Sequence, residues 1–333
     1  MRSQRNWARS EFSDSYAGPR RHFHFLIVNT LKKIRSEHIP VLLKESIDGL
    51  DFHPGERVFE GTVGLGGHSE EILKRIGEHG IYIGTDEDAH ALTVAEKRLA
   101  PYSCTKVFHE GNFRKLDEVL DAAGCSTVDK ILFDIGLSNL QLEEKGRGFS
   151  FKKSEPLLMT FRPEPQGGDL TAREIVNEWA EESIADVVYG YGGERFARRI
   201  AHAIVTARAG KPIETTTELA EIVRGAYPGF ARFGKIHPAT KTFQALRIAV
   251  NDELGALREG LIKGFARLAP GGRMAIISFH SLEDRIVKAF FKARMAEGHT
   301  LITKKPIVPS PVEVTANPKS RSAKLRIIAK TIL

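Results

Sequence analysis

A glycine-rich turn between an apolar strand and an amphipathic helix is the part of the sequence with the clearest chemical potential. The run Glu60–Ser69 reads EGTVGLGGHS and follows the apolar pair Val58–Phe59. Glycines let the backbone approach a bound molecule closely. A second strand, 80–86, ends in Asp86, whose carboxylate can accept hydrogen bonds from ribose hydroxyls. Together the two features predict a site for an adenosine-bearing cofactor.

The turn leaves two cofactor classes open. A dinucleotide fingerprint has a third glycine, which permits tight packing of helix on strand beside a pyrophosphate. Ser69 occupies that position here, which disfavours a nicotinamide oxidoreductase without excluding it. The same turn suits S-adenosylmethionine, which carries no phosphate and whose amino-acid end can meet N–H groups at the helix start.

A third polar set follows the strand 128–134. This strand ends in Asp134, and the chain continues through a short turn to Ser138 and Asn139. Sites in open α/β sheets form at the carboxyl ends of strands, so an acid, a hydroxyl and an amide here predict a polar pocket floor. Asp134 as a turn-forming residue explains the same pattern equally well.

Basic side chains recur in the segments that follow. Arginines at helical spacing in 192–209 are explained more simply as a solvated helix face. His280 precedes a helix and is interpreted either as a core histidine or as a side chain facing the cleft. Several basic segments beside a cofactor site nevertheless suggest a phosphate-binding rim. The candidate substrate-binding residues are Arg198, Lys235, His237, Arg247, His280 and Arg321.

The composition favours a polyanionic partner and a reducing compartment. The formal net charge is +7, and clustered Lys and Arg attract phosphate backbones. Cys104 and Cys125 form no C-x-x-C pair, so we expect no disulfide framework, no metal site and a cytoplasmic location. No apolar run is long enough to span a bilayer, so no membrane partner is expected. The basic segment 1–36 is expected to be a disordered arm, a mis-assigned start or, less simply, a targeting segment.

Alternating strands and helices predict an α/β fold. The predicted strands are 57–60, 80–86, 105–109 and 128–134, and the predicted helices between them are 68–77, 88–99 and 113–123. Such repeats indicate a parallel sheet covered on both faces. The alternation stops at residue 143, and a helical insertion over 143–238 is predicted. A long helix over 239–268 and a buried strand over 271–278 then return the chain to the sheet.

Several long motifs, in one order, carry a resemblance to a known family. They are Gly64–Ser69, Phe133–Ser138, Gly146–Phe151, Gly193–Ala197, Lys235–Asn251, Ile277–Arg285 and Asn317–Arg326. Over about residues 37–330 the chain resembles the ribosomal RNA small subunit methyltransferase H family. The resemblance implies S-adenosylmethionine-dependent methylation of cytidine N4 in 16S rRNA, near the decoding centre of the small ribosomal subunit.

The resemblance also implies an architecture and a set of site residues. The fold would be a Rossmann-like methyltransferase domain, 37–142 and 239–333, with an inserted helical substrate-binding subdomain at 143–238. A homodimer is among the expected states. The implied cofactor contacts are Gly66, Gly67, His68, Asp86, Phe113, Asp134 and Gln141. Asp134, Ser138 and Asn139 are the candidates for accepting a hydrogen bond from the target amine.

One segment departs from the family pattern on the substrate side. The family's Pro-Leu-Asp-Met-Arg-Met appears here as Pro156–Phe161, with Leu158 in place of the acid and Thr160 in place of the arginine. This motivates an alternative function, a cofactor-binding ribosome-assembly protein with weak or no methyl transfer.

Overall fold

A seven-stranded sheet forms the centre of the computed structural model, which describes residues 40–137, 141–142, 146–234 and 236–332. The predicted arm at 1–36 lies outside the described residues. The strand order is β3-β2-β1-β4-β5-β7-β6. The strands are β1 Arg57–Glu60, β2 Ile81–Asp86, β3 Thr105–Glu110, β4 Val128–Asp134, β5 Leu268–Ser278, β6 Thr300–Leu301 and β7 Lys324–Ala329.

The first five strands run parallel, and β7 is antiparallel to both of its neighbours, β5 and β6. The chain moves outward from β1 through β2 to β3 and then returns to the other side of β1 as β4. This reversal opens a crevice beyond the carboxyl ends of β1 and β4, which is where ligands bind in open α/β sheets. Glu60 and Asp134 are the last residues of these two strands. The topology therefore brings two acids to one place.

Helices cover both faces of the sheet. They are α1 Leu43–Leu50, α2 Gly67–Ile76, α3 Ala89–Leu99, α4 Leu116–Ala122, α10 Glu253–Arg267, α11 Ser281–Ala296 and, near the C-terminus, α12 Pro311–Ala316. Two separate apolar clusters fill the spaces between the helices and the sheet. The predicted α/β alternation is confirmed, with element ends that shift by up to three residues. In the described part of the chain, no helix is both long and apolar enough to cross a membrane.

A third apolar cluster belongs to a group of helices inserted between β4 and β5. These helices are α5 Ala172–Glu178, α6 Glu181–Gly192, α7 Ala197–Gly210, α8 Thr216–Ala226 and α9 Ala239–Val250. Phe243 and Leu246 of α9 pack into the same cluster. The insertion at 143–238 stays a prediction, and the apolar core of the inserted helices reaches past its predicted boundary at residue 238.

The prediction of one long helix over 239–268 was wrong. The structure has two helices, α9 and α10, which are separated at Asn251 and Asp252. Asp252 has a φ of 43°, a left-handed conformation that interrupts the helix. The Asn251 side chain binds the backbone of a distant segment through Met159 and Phe161. The break is thus fixed by long-range contacts that helical periodicity does not reveal.

Candidate active site

The glycine turn between β1 and α2 depends on glycine at three positions. Gly64 and Gly66 have φ of 51° and 75°, in the left-handed region that side chains disfavour. At Gly67 a Cβ atom would collide with the ring of Pro40. The turn therefore holds its shape through backbone conformation and through close packing at the start of α2.

Asp86 braces this turn from the end of β2. One carboxylate oxygen accepts the Gly64 N–H at 2.7 Å, and the other accepts the Asp88 N–H at 2.9 Å. Burial raises the pKa of Asp86 to about 6, although these two hydrogen bonds oppose the shift. The predicted ribose ligand is thus positioned beside the glycine turn, as its place in the sequence suggested.

Asp134 lies in the crevice at the end of β4. Its backbone N–H donates to Thr62 Oγ1 at 2.8 Å, which fixes the strand end against the glycine turn. Its Oδ2 lies 3.7 Å from His68 Nδ1, while Oδ1 is buried and accepts no hydrogen bond from any described residue. Burial, together with repulsion from Glu60 and Glu283, raises the pKa of Asp134 to about 8.

Glu60 is a site residue that sequence reasoning missed. It is buried at the end of β1, and its Oε2 accepts hydrogen bonds from Ser69 Oγ and Tyr82 OH, both at 2.6 Å. Its Oε1 is buried without a hydrogen-bond partner among the described residues. Burial raises the pKa of Glu60 to about 7. An acid that directly precedes the glycine turn was the signal available in the sequence.

The remaining implied cofactor contacts lie around this crevice. His68 is buried in α2, and its Nε2 is 3.1 Å from the Val41 carbonyl oxygen. Phe113 packs on Phe133 with ring centroids 4.7 Å apart, underneath the glycine turn. Gln141 is buried and donates from Nε2 to the Phe161 carbonyl oxygen at 3.4 Å. The structure therefore brings all of them to the carboxyl edge of the sheet.

The segment Pro156–Phe161, which we call the strap, is tied to the crevice by Arg147. The Arg147 guanidinium pairs with Asp88 at 3.0 Å and donates to the Phe161 carbonyl oxygen at 2.6 Å. Both partners of the ion pair are almost fully buried. Because Asp88 also caps α3 and its N–H donates to Asp86, the strap and the cofactor side of the crevice share one network.

The strap has a defined conformation although it lacks the acid and the arginine of the family pattern. Asn251 donates to the Met159 carbonyl oxygen and accepts the Phe161 N–H, both at 2.8 Å. Thr160 is buried, and its hydroxyl donates to the Arg162 carbonyl oxygen at 2.8 Å. The Leu158 carbonyl oxygen accepts the Ala172 N–H at 3.0 Å. Leu158 and Thr160 therefore occupy an ordered segment rather than a collapsed one.

The candidate substrate-binding residues fall into two groups. Arg198, His237 and Arg321 are exposed. Arg247, in contrast, forms a mostly buried ion pair with Glu253 through Nε at 2.7 Å and Nη2 at 2.8 Å. This geometry disfavours direct phosphate contact for Arg247 and favours a positioning role.

The other four candidate residues are His280, Lys235, Ser138 and Asn139. His280 is the N-cap of α11, and its Nε2 lies 3.1 Å from Glu283 Oε1 in a mostly buried pair. The cap explains the conformation of His280 without a ligand. Lys235, Ser138 and Asn139 lie outside the described residues, so their predicted roles stay predictions.

Three features define the class of protein: the sheet order, the reversed β7 and the crevice at the ends of β1 and β4. The protein has the Rossmann-like fold of S-adenosylmethionine-dependent methyltransferases, with helices inserted between β4 and β5. A sequence profile of the MraW methylase family matches residues 35–331. The chain belongs to this family.

Relatives with curated names agree with that membership. Ribosomal RNA small subunit methyltransferase H of Symbiobacterium thermophilum is 47% identical over 313 residues, covering 88% of this chain and 96% of the relative. The protein of the same name from Deinococcus radiodurans is 48% identical over 290 residues, covering 87% and 88%. A solved structure titled a putative rRNA-methylase from Clostridium thermocellum aligns at 14% identity with a TM-score of 0.40, covering 88% of this chain and 99% of that one. That likeness is too remote to locate any residue.

Proposed function

We propose that this protein transfers a methyl group from S-adenosylmethionine to N4 of a specific cytidine in 16S rRNA, near the decoding centre of the small ribosomal subunit. S-adenosylmethionine is the cofactor that the family and the fold class indicate. The relatives' names support small-subunit ribosomal RNA as the substrate. This substrate would place the protein in the cytoplasm, and a homodimer stays a prediction.

The observation that carries the proposal is a pair of carboxylates in the crevice, each with one buried oxygen atom. Glu60 Oε1 and Asp134 Oδ1 are both buried without hydrogen-bond partners in the described part of the chain. Mutual repulsion contributes to the raised pKa of Asp134. A cationic ligand near both groups would favour their ionised forms. S-adenosylmethionine carries a sulfonium and an ammonium group, so the residues present fit this ligand.

The surrounding residues supply the other contacts that such a cofactor needs. The Gly67 N–H at the start of α2 is proposed to meet the amino-acid end, with Gly66 as the N-cap of this helix and His68 behind it. Asp86 would accept the ribose hydroxyls, exchanging part of its hydrogen bonding to the glycine turn. Phe113 and Gln141 would border the remaining part of the cofactor.

The chemistry asks the protein to activate a weak nucleophile. S-adenosylmethionine supplies an electrophilic methyl group when it is bound. The lone pair of cytosine N4 is delocalised into the ring, so the amine must be held in line and its N–H must be accepted by a base. Asp134 is proposed to accept this hydrogen bond and then the proton that N4 loses. The cationic cofactor would favour the ionised form of Asp134, and the raised pKa of about 8 in its absence marks this carboxylate as a stronger base than an ordinary aspartate.

The target base must leave its stack to reach the crevice, which RNA allows most easily in a loop or bulge. Ser138 and Asn139, directly after β4, are proposed to orient the base. Exposed Arg198 and Arg321 are proposed to contact phosphates of the surrounding RNA, together with Lys235 and His237. Arg247 and His280 are proposed to position the site through their pairs with Glu253 and Glu283.

One assay tests the proposal. Small subunits that lack the modification are incubated with the protein and methyl-labelled S-adenosylmethionine, and the label is mapped by nuclease digestion. We expect label on N4 of one cytidine, and a loss of at least about a hundredfold in rate for Asp134→Asn. Cofactor binding without any label would support the assembly protein without methyl transfer, and label on another atom would contradict the N4 assignment.

A further inference from the structure

The loop between α8 and α9 exposes large apolar side chains close together in the sequence. Phe230 and Phe233 are 85% and 88% exposed, and Ile236 is 65% exposed. Single exposed apolar residues are normal on a protein surface, but a concentration of them marks an interaction site. Burying such side chains inside the protein would have been favourable. Their exposure therefore calls for a partner.

The backbone of this loop is held in place even though its side chains are exposed. Tyr227 packs edge-on against Phe196 with ring centroids 5.0 Å apart, and its hydroxyl donates to Glu194. Arg232 Nε donates to the Tyr227 carbonyl oxygen at 2.9 Å, and the turn Gly229–Ala231 is a short 3-10 helix.

At its other end, the loop is anchored by a second ring contact. His237 stacks on Phe151, with ring centroids 4.5 Å apart and planes inclined by 26°. Arg232 Nη2 also donates to the Gly225 carbonyl oxygen at 2.9 Å. The exposed rings of Phe230 and Phe233 thus project from a backbone that is fixed on both sides. A ring on a fixed backbone loses less conformational entropy on binding than a ring in an unanchored loop.

The charges around the loop indicate the kind of partner. The Arg195 guanidinium lies 4.6 Å from the ring centroid of Phe196, and Lys241 Nζ donates to the Gly193 carbonyl oxygen at 3.0 Å. Both side chains are exposed, as is Arg232. The neighbouring acid Glu194 is buried against Tyr227 and contributes little to the surface. Aromatic rings interleaved with cations are typical of single-stranded nucleic-acid binding.

We propose that Phe230 and Phe233 form a stacking platform for unpaired nucleobases of the substrate RNA, outside the methylated nucleotide. The inference rests on the proposed function, because it takes the RNA as the ligand. Unpaired bases are required, since stacking inside a duplex covers the faces of the bases. The cations of Arg195, Arg232 and Lys241 would contact the adjoining phosphates.

Paired substitutions test the stacking role. In the methylation assay, Phe230→Ala with Phe233→Ala should raise the KM for the small subunit on the order of tenfold or more, since stacking contributes about 1–3 kcal/mol per base. Phe230→Leu with Phe233→Leu should behave similarly, whereas the two Phe→Trp changes should preserve the KM. The kcat and the cofactor Kd should stay unchanged. Ile262→Ala, which removes another exposed apolar side chain, is the matched control.

The outcomes separate this inference from the proposed function. If the wild-type protein methylates the subunit and the alanine pair leaves KM within a factor of about two, the stacking platform is wrong and the proposed function stands. If the alanine pair dissociates a dimer and KM is unchanged, the loop is an interface between copies. If the wild-type protein transfers no methyl group, the stacking platform is tested instead by the binding of a short single-stranded oligoribonucleotide. If the rings stack on bases, the alanine pair should bind this oligoribonucleotide more weakly than the wild-type protein does. The wild-type protein should also bind the corresponding duplex more weakly than the single strand.

Discussion

At the scale of residues, the site is built from carboxyl groups that burial keeps partly protonated. Glu60 and Asp134 end neighbouring strands, and their pKa values are raised to about 7 and about 8. Desolvation is the larger cause in both cases. A group of this kind destabilises the folded state when it must ionise there. This cost would be offset by the cationic cofactor that the proposed site binds.

Replacing Asp134 tests this cost directly. The folded-state pKa of Asp134 is raised above its ordinary value of 3.8, so the folded protein binds the proton more tightly than the unfolded chain. The associated stability is complete below pH 4 and is lost as the pH rises toward 8. Without cofactor, Asp134→Asn should therefore become progressively more stable than the wild type across this window. The gain should be at most about 1.4 kcal/mol per pH unit.

Thermal unfolding at several pH values measures the difference. The control is Asp186→Asn on α6, which makes the same change at an exposed position. A stability difference between Asp134→Asn and the wild type that is the same at pH 4 and pH 8 would show that the pKa of Asp134 is not raised by folding.

Sequence reasoning placed Asp86 and Asp134 at the carboxyl edge of the sheet because each acid ends a predicted strand, and the structure has both residues at strand ends. It missed Glu60, whose role depends on Tyr82 and Ser69 from neighbouring elements. It also placed Arg247 on a phosphate-binding rim, although Glu253, beyond the end of α9, binds it in a mostly buried pair. Burial and pairing of this kind come from tertiary contacts, which the spacing of residues in one chain does not specify.

At the scale of elements, the strap and the cofactor side of the crevice are joined by one buried ion pair. Arg147 spans from Asp88 at the start of α3 to the Phe161 carbonyl oxygen. Breaking such a pair leaves an uncompensated buried charge, which costs more than the pair itself contributes. The strap should therefore lose its position when either partner is removed.

Arg147→Met should destabilise the protein by about 3–5 kcal/mol, because Asp88 would be left buried without its cation. Adding Asp88→Asn keeps a cap on α3 and removes the stranded charge, so the double variant should recover part of the loss. Chemical denaturation in a double-mutant cycle measures both terms.

A pair of the same type at the surface is the control for Arg147. Arg173 and Glu214 are 2.7 Å apart, but both are nearly half exposed. Arg173→Met should therefore change stability by no more than about 1 kcal/mol. A similar loss of stability in Arg147→Met and Arg173→Met would mean that burial does not increase the energetic effect of breaking the ion pair.

The elements themselves could largely be predicted, because each has a periodic signal. Strands of the parallel sheet are short apolar runs, and β1 and β4 have the bounds that the sequence predicted, 57–60 and 128–134. The division of 239–268 into α9 and α10 could not be predicted in the same way. Asn251 and Asp252 are weak helix formers, but low helix propensity alone does not end a helix. The helix is interrupted here because the Asn251 side chain binds the strap.

At the scale of the whole molecule, the net charge of +7 is distributed between buried and exposed groups. Arg147 and Arg247 are mostly buried and neutralised by acids. Arg198 and Arg321 are exposed, on α7 and beside β7. Only exposed cations can release counterions from RNA, so the basic residues should contribute unequally to binding. Net charge alone, read from the sequence, does not make this distinction.

The salt dependence of RNA binding tests this distinction between exposed and buried cations. The affinity for the small subunit should fall steeply as salt rises, whereas cofactor affinity should change little. Arg198→Gln and Arg321→Gln should each reduce the slope of log affinity against log salt by about 1. Lys97→Gln is the control, since Lys97 is exposed in the last turn of α3 and this turn lies toward the amino ends of the strands. Equal slopes for all three variants would place the RNA away from Arg198 and Arg321.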